Sequence, residues 1–308
     1  MTIPRQLISR ATQLFNGRAT FGAYQAGKPG LEVTLHYRWK PVRNLSTTFT
    51  AGVAAGATSA TLSGSWAGIT GMAPITFSDG EVLNGFFTNG STAVTFYPAS
   101  LPTTGGSVGA LTGPNVAVTS AIVVGGQPPI VGAANSVALS QGINTGTPGL
   151  VNGALATAGV ATMDVPRNII AAWTGTAILT VTGTDYYGQT QTEASPSGTS
   201  FTGKKAFATV TSITVSANVT AATVGTGNVF GLPFRVVSGD VYAPSFADAA
   251  DAGTVVGGDW TPVATSTTGD VRGTYAPAGT LNGAKFVTAL IKPWDNTTQV
   301  GSFGVTPA

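Results

Sequence analysis

The chain has 308 residues, with 14 Lys/Arg against 12 Asp/Glu, one His and no Cys. Charged residues are 8% of the chain, against about 25% in ordinary soluble domains, and Gly, Thr, Ser, Ala and Val fill the gap. Disulfides, thiolate chemistry and Cys-based zinc are excluded, the supply of Val, Ile and Phe argues against disorder, and no apolar run approaches the ~18 residues of a membrane span. No secretory h-region is visible near Met1.

The charge is uneven. Arg5, Arg10, Arg18, Lys28, Arg38, Lys40 and Arg43 place half of the cations in the first 50 residues beside a single acid, Glu32. The remaining residues hold seven basic and eleven acidic side chains. Residues 1–48 read as a basic arm. Within it PRQLISRATQLF (4–15) predicts a short helix, because Leu7, Ile8, Ala11, Leu14 and Phe15 share one face and Pro4 suits a first helical position. LEVTLHYRW (31–39) predicts a strand, with Leu31, Val33, Leu35 and Tyr37 alternating against Glu32, Thr34, His36 and Arg38. The only His lies on the polar face of that strand and has no evident partner.

Residues 49–110 predict a small β-meander domain. Asp79-Gly80 and Asn89-Gly90 separate apolar runs, and such pairs supply the positive φ that tight hairpins demand. Residues 111–162, rich in Gly and Ala with Pro128-Pro129 as a break, read as a connector. Residues 163–308 predict a β-sandwich domain. AILTVTGTD (177–185) alternates cleanly, and QTQTEA returns as a polar edge strand. AFATVTSITVSA (206–217) changes phase, which a β-bulge near Thr211-Ser212 explains. NVFGLPFRVV puts Phe230, Leu232, Phe234 and Val236 on one face and Pro233 opposite, an edge or irregular strand. Residues 243–259 and 264–283 read as loops, and FVTALIKPW (286–294) as a strand. The expected class is all-β, sandwich and meander domains with Gly/Thr-rich loops, plus the helix-bearing arm.

No nucleotide, metalloprotease or serine-hydrolase motif is present. Asp240, Asp248, Asp251 and Asp259 match no calcium-loop spacing. Asp185 and Glu193 read as a turn residue and a polar strand residue rather than a glycosidase pair. The expectation is therefore a structural protein, not an enzyme, with no cofactor and no metal. The partner-binding candidates are Arg5, Leu7, Arg10, Leu14, Phe15, Arg18, Lys28, Arg38, Trp39, Lys40 and Arg43. Their spread along the arm favours an acidic protein surface over nucleic acid, and a membrane is not expected.

Several stretches are similar to a known family. AGVAAGATSATLSGSW, PITFSDGE and FFTNG resemble a β module of tailed-bacteriophage structural proteins. DVPRNIIAAWTGTAILTVTGTDYYGQTQTE (164–193), SPSGTSFTGKKAFATVTSITVSA (195–217), GLPFRV (231–236) and TTGDVRGTYAP (267–277) resemble phage head decoration, or cement, proteins. The resemblance covers about 50–97 and 164–290. It implies a homo-oligomer, a trimer by the family's habit, bound to the major capsid protein on the outer surface of the virion and made in the host bacterial cytoplasm. It carries over no functional residues. The alternatives are a tail tube or tail-fibre protein and, further off, a glycan-binding module.

Overall fold

A computed structural model describes residues 37–53, 57–78, 80, 82–97, 122–259 and 269–292. The helix expected over 4–15, most of the arm and His36 lie outside these residues. The described chain is β throughout, with a single 3-10 turn at Ser238–Asp240 and no α-helix. In chain order the strands are β1 (Tyr37–Trp39), β2 (Arg43–Thr47), β3 (Ser59–Thr61), β4 (Gly71–Thr76), β5 (Val82–Phe87), β6 (Ala93–Tyr97) and β7 (Ile122–Gln127). There follow β8 (Ala138–Ile143), β9 (Ala156–Thr157), β10 (Val160–Ala177), β11 (Leu179–Thr184), β12 (Thr190–Ala194) and β13 (Gly198–Val215). The last are β14 (Val219–Gly231), β15 (Val241–Phe246), β16 (Ala249–Ala250), β17 (Thr254–Gly257), β18 (Gly273–Ala276) and β19 (Val287–Ile291). They fall into two compact units, a smaller one of 41–130 with 281–286 and a larger one of 37–40, 131–280 and 287–292.

The smaller unit is an antiparallel six-stranded sheet in the order β2-β7-β4-β5-β6-β3. The expected meander is its centre: β4, β5 and β6 pair in sequence, and Gly80 and Gly90 take φ of 90° and 81° at the two turns. The sheet curls until its edges meet. Phe49 bridges Leu62, Thr50 N–H donates to Thr61 O at 2.9 Å and Ser63 N–H to Thr48 O at 2.8 Å. Closure removes the open edges that invite pairing with other chains. Alternation sends Ile75, Leu83, Phe87, Val94, Phe96 and Val124 inward. Phe49 stacks on Phe77 at 6.2 Å, both meet the edge of Phe96, and Trp66 stacks on Phe87 at 4.3 Å. Each such ring contributes about 1.5–3 kcal/mol by burial alone.

The larger unit holds a nine-stranded sheet, β12-β11-β13-β10-β14-β18-β17, with β8 also on β14 and β9 on β10. Four further strands form a sheet in the order β1-β19-β15-β16. As expected, β12 is an edge strand. The bulge expected near Thr211 is there: Thr182 faces Ser212 but Gly183 faces Val210, so Thr211 is the extra residue. Gly183 is required at this point, because a Cβ there would lie 1.9 Å from Thr209 O.

Three expectations are corrected. Residues 122–162, expected to belong to a connector, carry β7, β8 and β9, and β8 pairs with β14. Residues 243–259, expected as a loop, carry most of β15 and all of β16 and β17, and β18 falls in the second expected loop. Residues 232–236 do not alternate: Pro233 and Arg235 are buried together with Leu232, Phe234 and Val236, because the chain leaves the ladder after Gly231 and is packed on all sides.

Candidate functional site

Of the arm residues put forward as partner-binding, Arg5, Leu7, Arg10, Leu14, Phe15, Arg18 and Lys28 lie outside the described residues. The other four divide by side-chain direction. Arg38 and Lys40 are exposed. Trp39, on the opposite face of β1, is 2% exposed and meets Tyr275 edge-on at 5.9 Å. Arg43 is buried in the smaller unit, where its Nε donates to Pro128 O at 2.7 Å. Trp39 and Arg43 therefore serve the interior. Period-two alternation already places Trp39 on the apolar side with Tyr37, whereas Pro41 resets the phase before Arg43.

The sequence reading missed a buried ion network in the larger unit. Four of the seven Lys/Arg beyond residue 50 are buried: Arg167, Lys205, Arg235 and Arg272. Asp185, Glu193 and Asp270 are buried with them. Their positions follow from faults in the backbone ladder. Between Thr162 and Arg167, β10 advances five residues while β13 moves only from Thr209 to Phe207. A register shift of this kind leaves amides and carbonyls without strand partners, and buried backbone groups must find others. Arg167 answers at this bulge. Its guanidinium pairs with Asp164 at 2.7 Å, donates to Gly227 O at 3.3 Å and lies 5.2 Å from the Phe230 ring centre. The Asn168 amide donates to Gly203 O on β13 and accepts from Val229 N–H on β14, tying three strands.

A second fault lies along Lys204–Ala206, beyond the reach of β11, whose pairing with β13 stops at Thr209. Side chains stand in for the missing strand there. Glu193 accepts the amides of Lys204 at 2.6 Å and Lys205 at 3.2 Å. Asp270 accepts the amide of Ala206 at 2.9 Å, and Gln191 donates to Ala206 O at 2.6 Å. Lys205 Nζ returns the favour to Thr192 O at 2.8 Å. Burial pushes the Glu193 and Asp270 carboxyls above their ordinary range and outweighs their hydrogen bonds and the nearby cations. It pushes the Lys205 ammonium down.

Asp185 anchors the β11–β12 turn. One carboxylate oxygen accepts the amides of Tyr187 and Gln189, and the other pairs with Arg272 at 2.8 Å. The Arg272 guanidinium lies 5.3 Å from the Tyr187 ring centre, and Tyr187 OH donates to Pro233 O at 2.8 Å. Burial, then the neighbouring Tyr186, push the Tyr187 phenol up to about 12. Asp185 and Glu193 thus hold backbone amides rather than facing a cleft. The four later acids are also apart in role. Asp251 accepts from Tyr275 OH and from Ala278 N–H, Asp240 is buried at the 3-10 turn, Asp248 is exposed, and the carbonyl of Asp259 accepts from Arg235. Among the described residues no group of His, Asp and Glu is placed to hold a metal ion.

With these ions turned inward, the outward face of the nine-stranded sheet is rich in threonine. Thr182 meets Thr192 at 3.3 Å and Thr184 meets Thr209 at 2.7 Å between hydroxyl oxygens, pairs that stabilise neighbouring strands without charge. The sequence signal for the network was lone basic residues inside apolar β stretches, as in DVPRNII, PFRVV and DVRGTY. No family model matches the chain, and neither a curated protein nor a solved structure matches it.

Proposed function

We propose that the chain is a structural virion protein that decorates the outer surface of a bacteriophage capsid and stabilises it by bridging shell subunits as a homo-oligomer. The observation that supports this most is the direction of its charges. The larger unit turns most of its ions inward, Arg167, Lys205, Arg235, Arg272, Asp185, Glu193 and Asp270 among them, and presents a face rich in threonine, while its exposed Arg38 and Lys40 belong to the basic first 50 residues. A neutral body packs beside copies of itself without repulsion, and a basic segment seeks an acidic surface. The resemblance of 164–193, 195–217, 231–236 and 267–277 to cement proteins points to a shell as the partner. Many weak contacts to one shell add through effective concentration.

The test is the location of the protein in fractionated particles. Tail-less heads should carry it in stoichiometric amounts by mass spectrometry and label with antibody on their outer surface. Its presence on isolated tails and absence from heads would favour the tail reading instead. Removing residues 1–20 should abolish rebinding to stripped heads while both units melt as in the whole chain.

A further inference from the structure

The four-stranded sheet of the larger unit has one face against Tyr275 and Phe234, reached by Trp39 at 5.9 Å and Tyr37 at 5.0 Å. The other face is turned to solvent. On it, Arg38 of β1, Leu290 of β19 and Tyr242 of β15 stand opposite one another in register. Leu290 and Tyr242 are 36% and 41% exposed. The next row is Thr288 and Ser245, joined by a hydroxyl hydrogen bond at 2.6 Å. Alternation places Lys40 and Lys292 on the same side as Arg38 and Leu290. Three cations therefore surround a leucine and a tyrosine. The acid close by is Asp248 at the β15–β16 turn, whose charge acts on Lys40.

We infer that this face docks an acidic protein segment, its carboxylates meeting Arg38, Lys40 and Lys292 and an apolar side chain covering Leu290 against Tyr242. Charge complementarity sets the sign of the partner, and Arg and Tyr are the residue types that dominate interface energetics. The apolar centre favours protein over nucleic acid, because a phosphate backbone has nothing to lay on Leu290. The inference builds on the attachment role proposed above, yet the two fail separately: absence from heads rejects decoration, whereas only the binding assay below rejects this face.

The assay uses the full chain and two probes, a polyglutamate peptide with interspersed leucines and a polythymidine oligonucleotide, titrated by fluorescence anisotropy at fixed salt. Arg38→Glu with Lys40→Glu should weaken polyglutamate binding about tenfold or more. Tyr242→Ser, which changes no charge, should weaken it about fivefold. Lys204→Glu, a reversal of an exposed cation on β13, should stay within about twofold. Unchanged thermal melting certifies the variants, and Arg38→Gln with Lys40→Gln replaces the double reversal if that fails to fold. The inference is overturned if Tyr242→Ser binds as the wild type does, if Lys204→Glu is as damaging as the double reversal, or if the oligonucleotide binds more tightly than polyglutamate. It is equally overturned if the wild type self-associates and Tyr242→Ser makes it monomeric, since the face then belongs to a second copy.

Discussion

The two units solve the same problem in opposite ways. The smaller closes its sheet on itself, keeps most strand pairs in register and fills the interior with Phe49, Phe77, Phe87, Phe96 and Trp66. The larger runs two 18-residue strands, β10 and β13, through repeated register shifts and repairs the ladder with Arg167, Asn168, Gln191, Glu193 and Asp270. A continuous ladder leaves room for a purely apolar core. A bulged one obliges polar side chains to enter, and the ions found inside follow the irregularity of the backbone.

The comparison breaks most visibly at single residues. Phe96→Ala, which removes a fully buried ring touching Phe49 and Phe77, should cost the smaller unit about 3–5 kcal/mol. Hydrogen exchange should show its strands losing protection while β10–β14 keep theirs. Arg272→Ala should cost the larger unit a similar 3–5 kcal/mol or so, because Asp185 is then left buried and unpaired. Urea titration followed at the tyrosines would report it. Replacing the pair by Asp185→Leu with Arg272→Met should recover only part of that loss, since the Tyr187 and Gln189 amides still lack their acceptor.

Titration should separate the units further. Glu193 and Asp270 have folded-state values raised above the ordinary 4.5 and 3.8. The native state then holds protons more tightly than the unfolded chain. The stability these groups contribute is complete below the ordinary values and lost as pH rises through the raised ones. The melting temperature of the larger unit should accordingly rise as pH is lowered through the raised carboxyl range, and Glu193→Gln should flatten that slope. At the alkaline end, Tyr187 is held near 12, so unfolding should set in from about pH 10, with phenolate absorbance appearing together with the loss of structure. The smallest effect concerns the β15–β16 turn, where Ala247 and Asp248 both take positive φ, 54° and 64°. Ala247→Asn with Asp248→Gly supplies the Asn-Gly pair that such a turn favours and should stabilise the larger unit by about 1 kcal/mol through relief of left-handed strain, read as a shift in the urea midpoint.

What could be read from the sequence follows the same division. Where the ladder is regular, alternation and turn chemistry suffice: the meander through Gly80 and Gly90, the edge strand through Gln191 and Glu193, and the phase slip at Thr211 were all legible. Where parity is reset every few residues it is not. Ile169, Ile170, Ala171, Ala172 and Trp173 are all apolar and offer no polar–apolar alternation to read, although in β10 Ile169, Ala171 and Trp173 are buried and Ile170 and Ala172 are not. Residues 243–259 looked like loop because they are rich in Ala, Asp and Gly, and the bulge at which Ala243 takes φ of 45° breaks the alternation there. Of the candidate surface, Arg38 and Lys40 were legible as polar-face residues. Leu290 and Tyr242 were not, since only strand pairing brings positions so far apart in the chain into one row.

The carboxylates and amide lined up along Lys204–Ala206 have a consequence for life in a crowd. A chain so poor in surface charge has little electrostatic repulsion to keep its strands from annealing to those of a neighbour. At that stretch of β13 the vacant hydrogen-bonding edge is already filled from within by Glu193, Asp270 and Gln191. Molecules concentrated side by side would find no template at that stretch on which to grow a shared sheet.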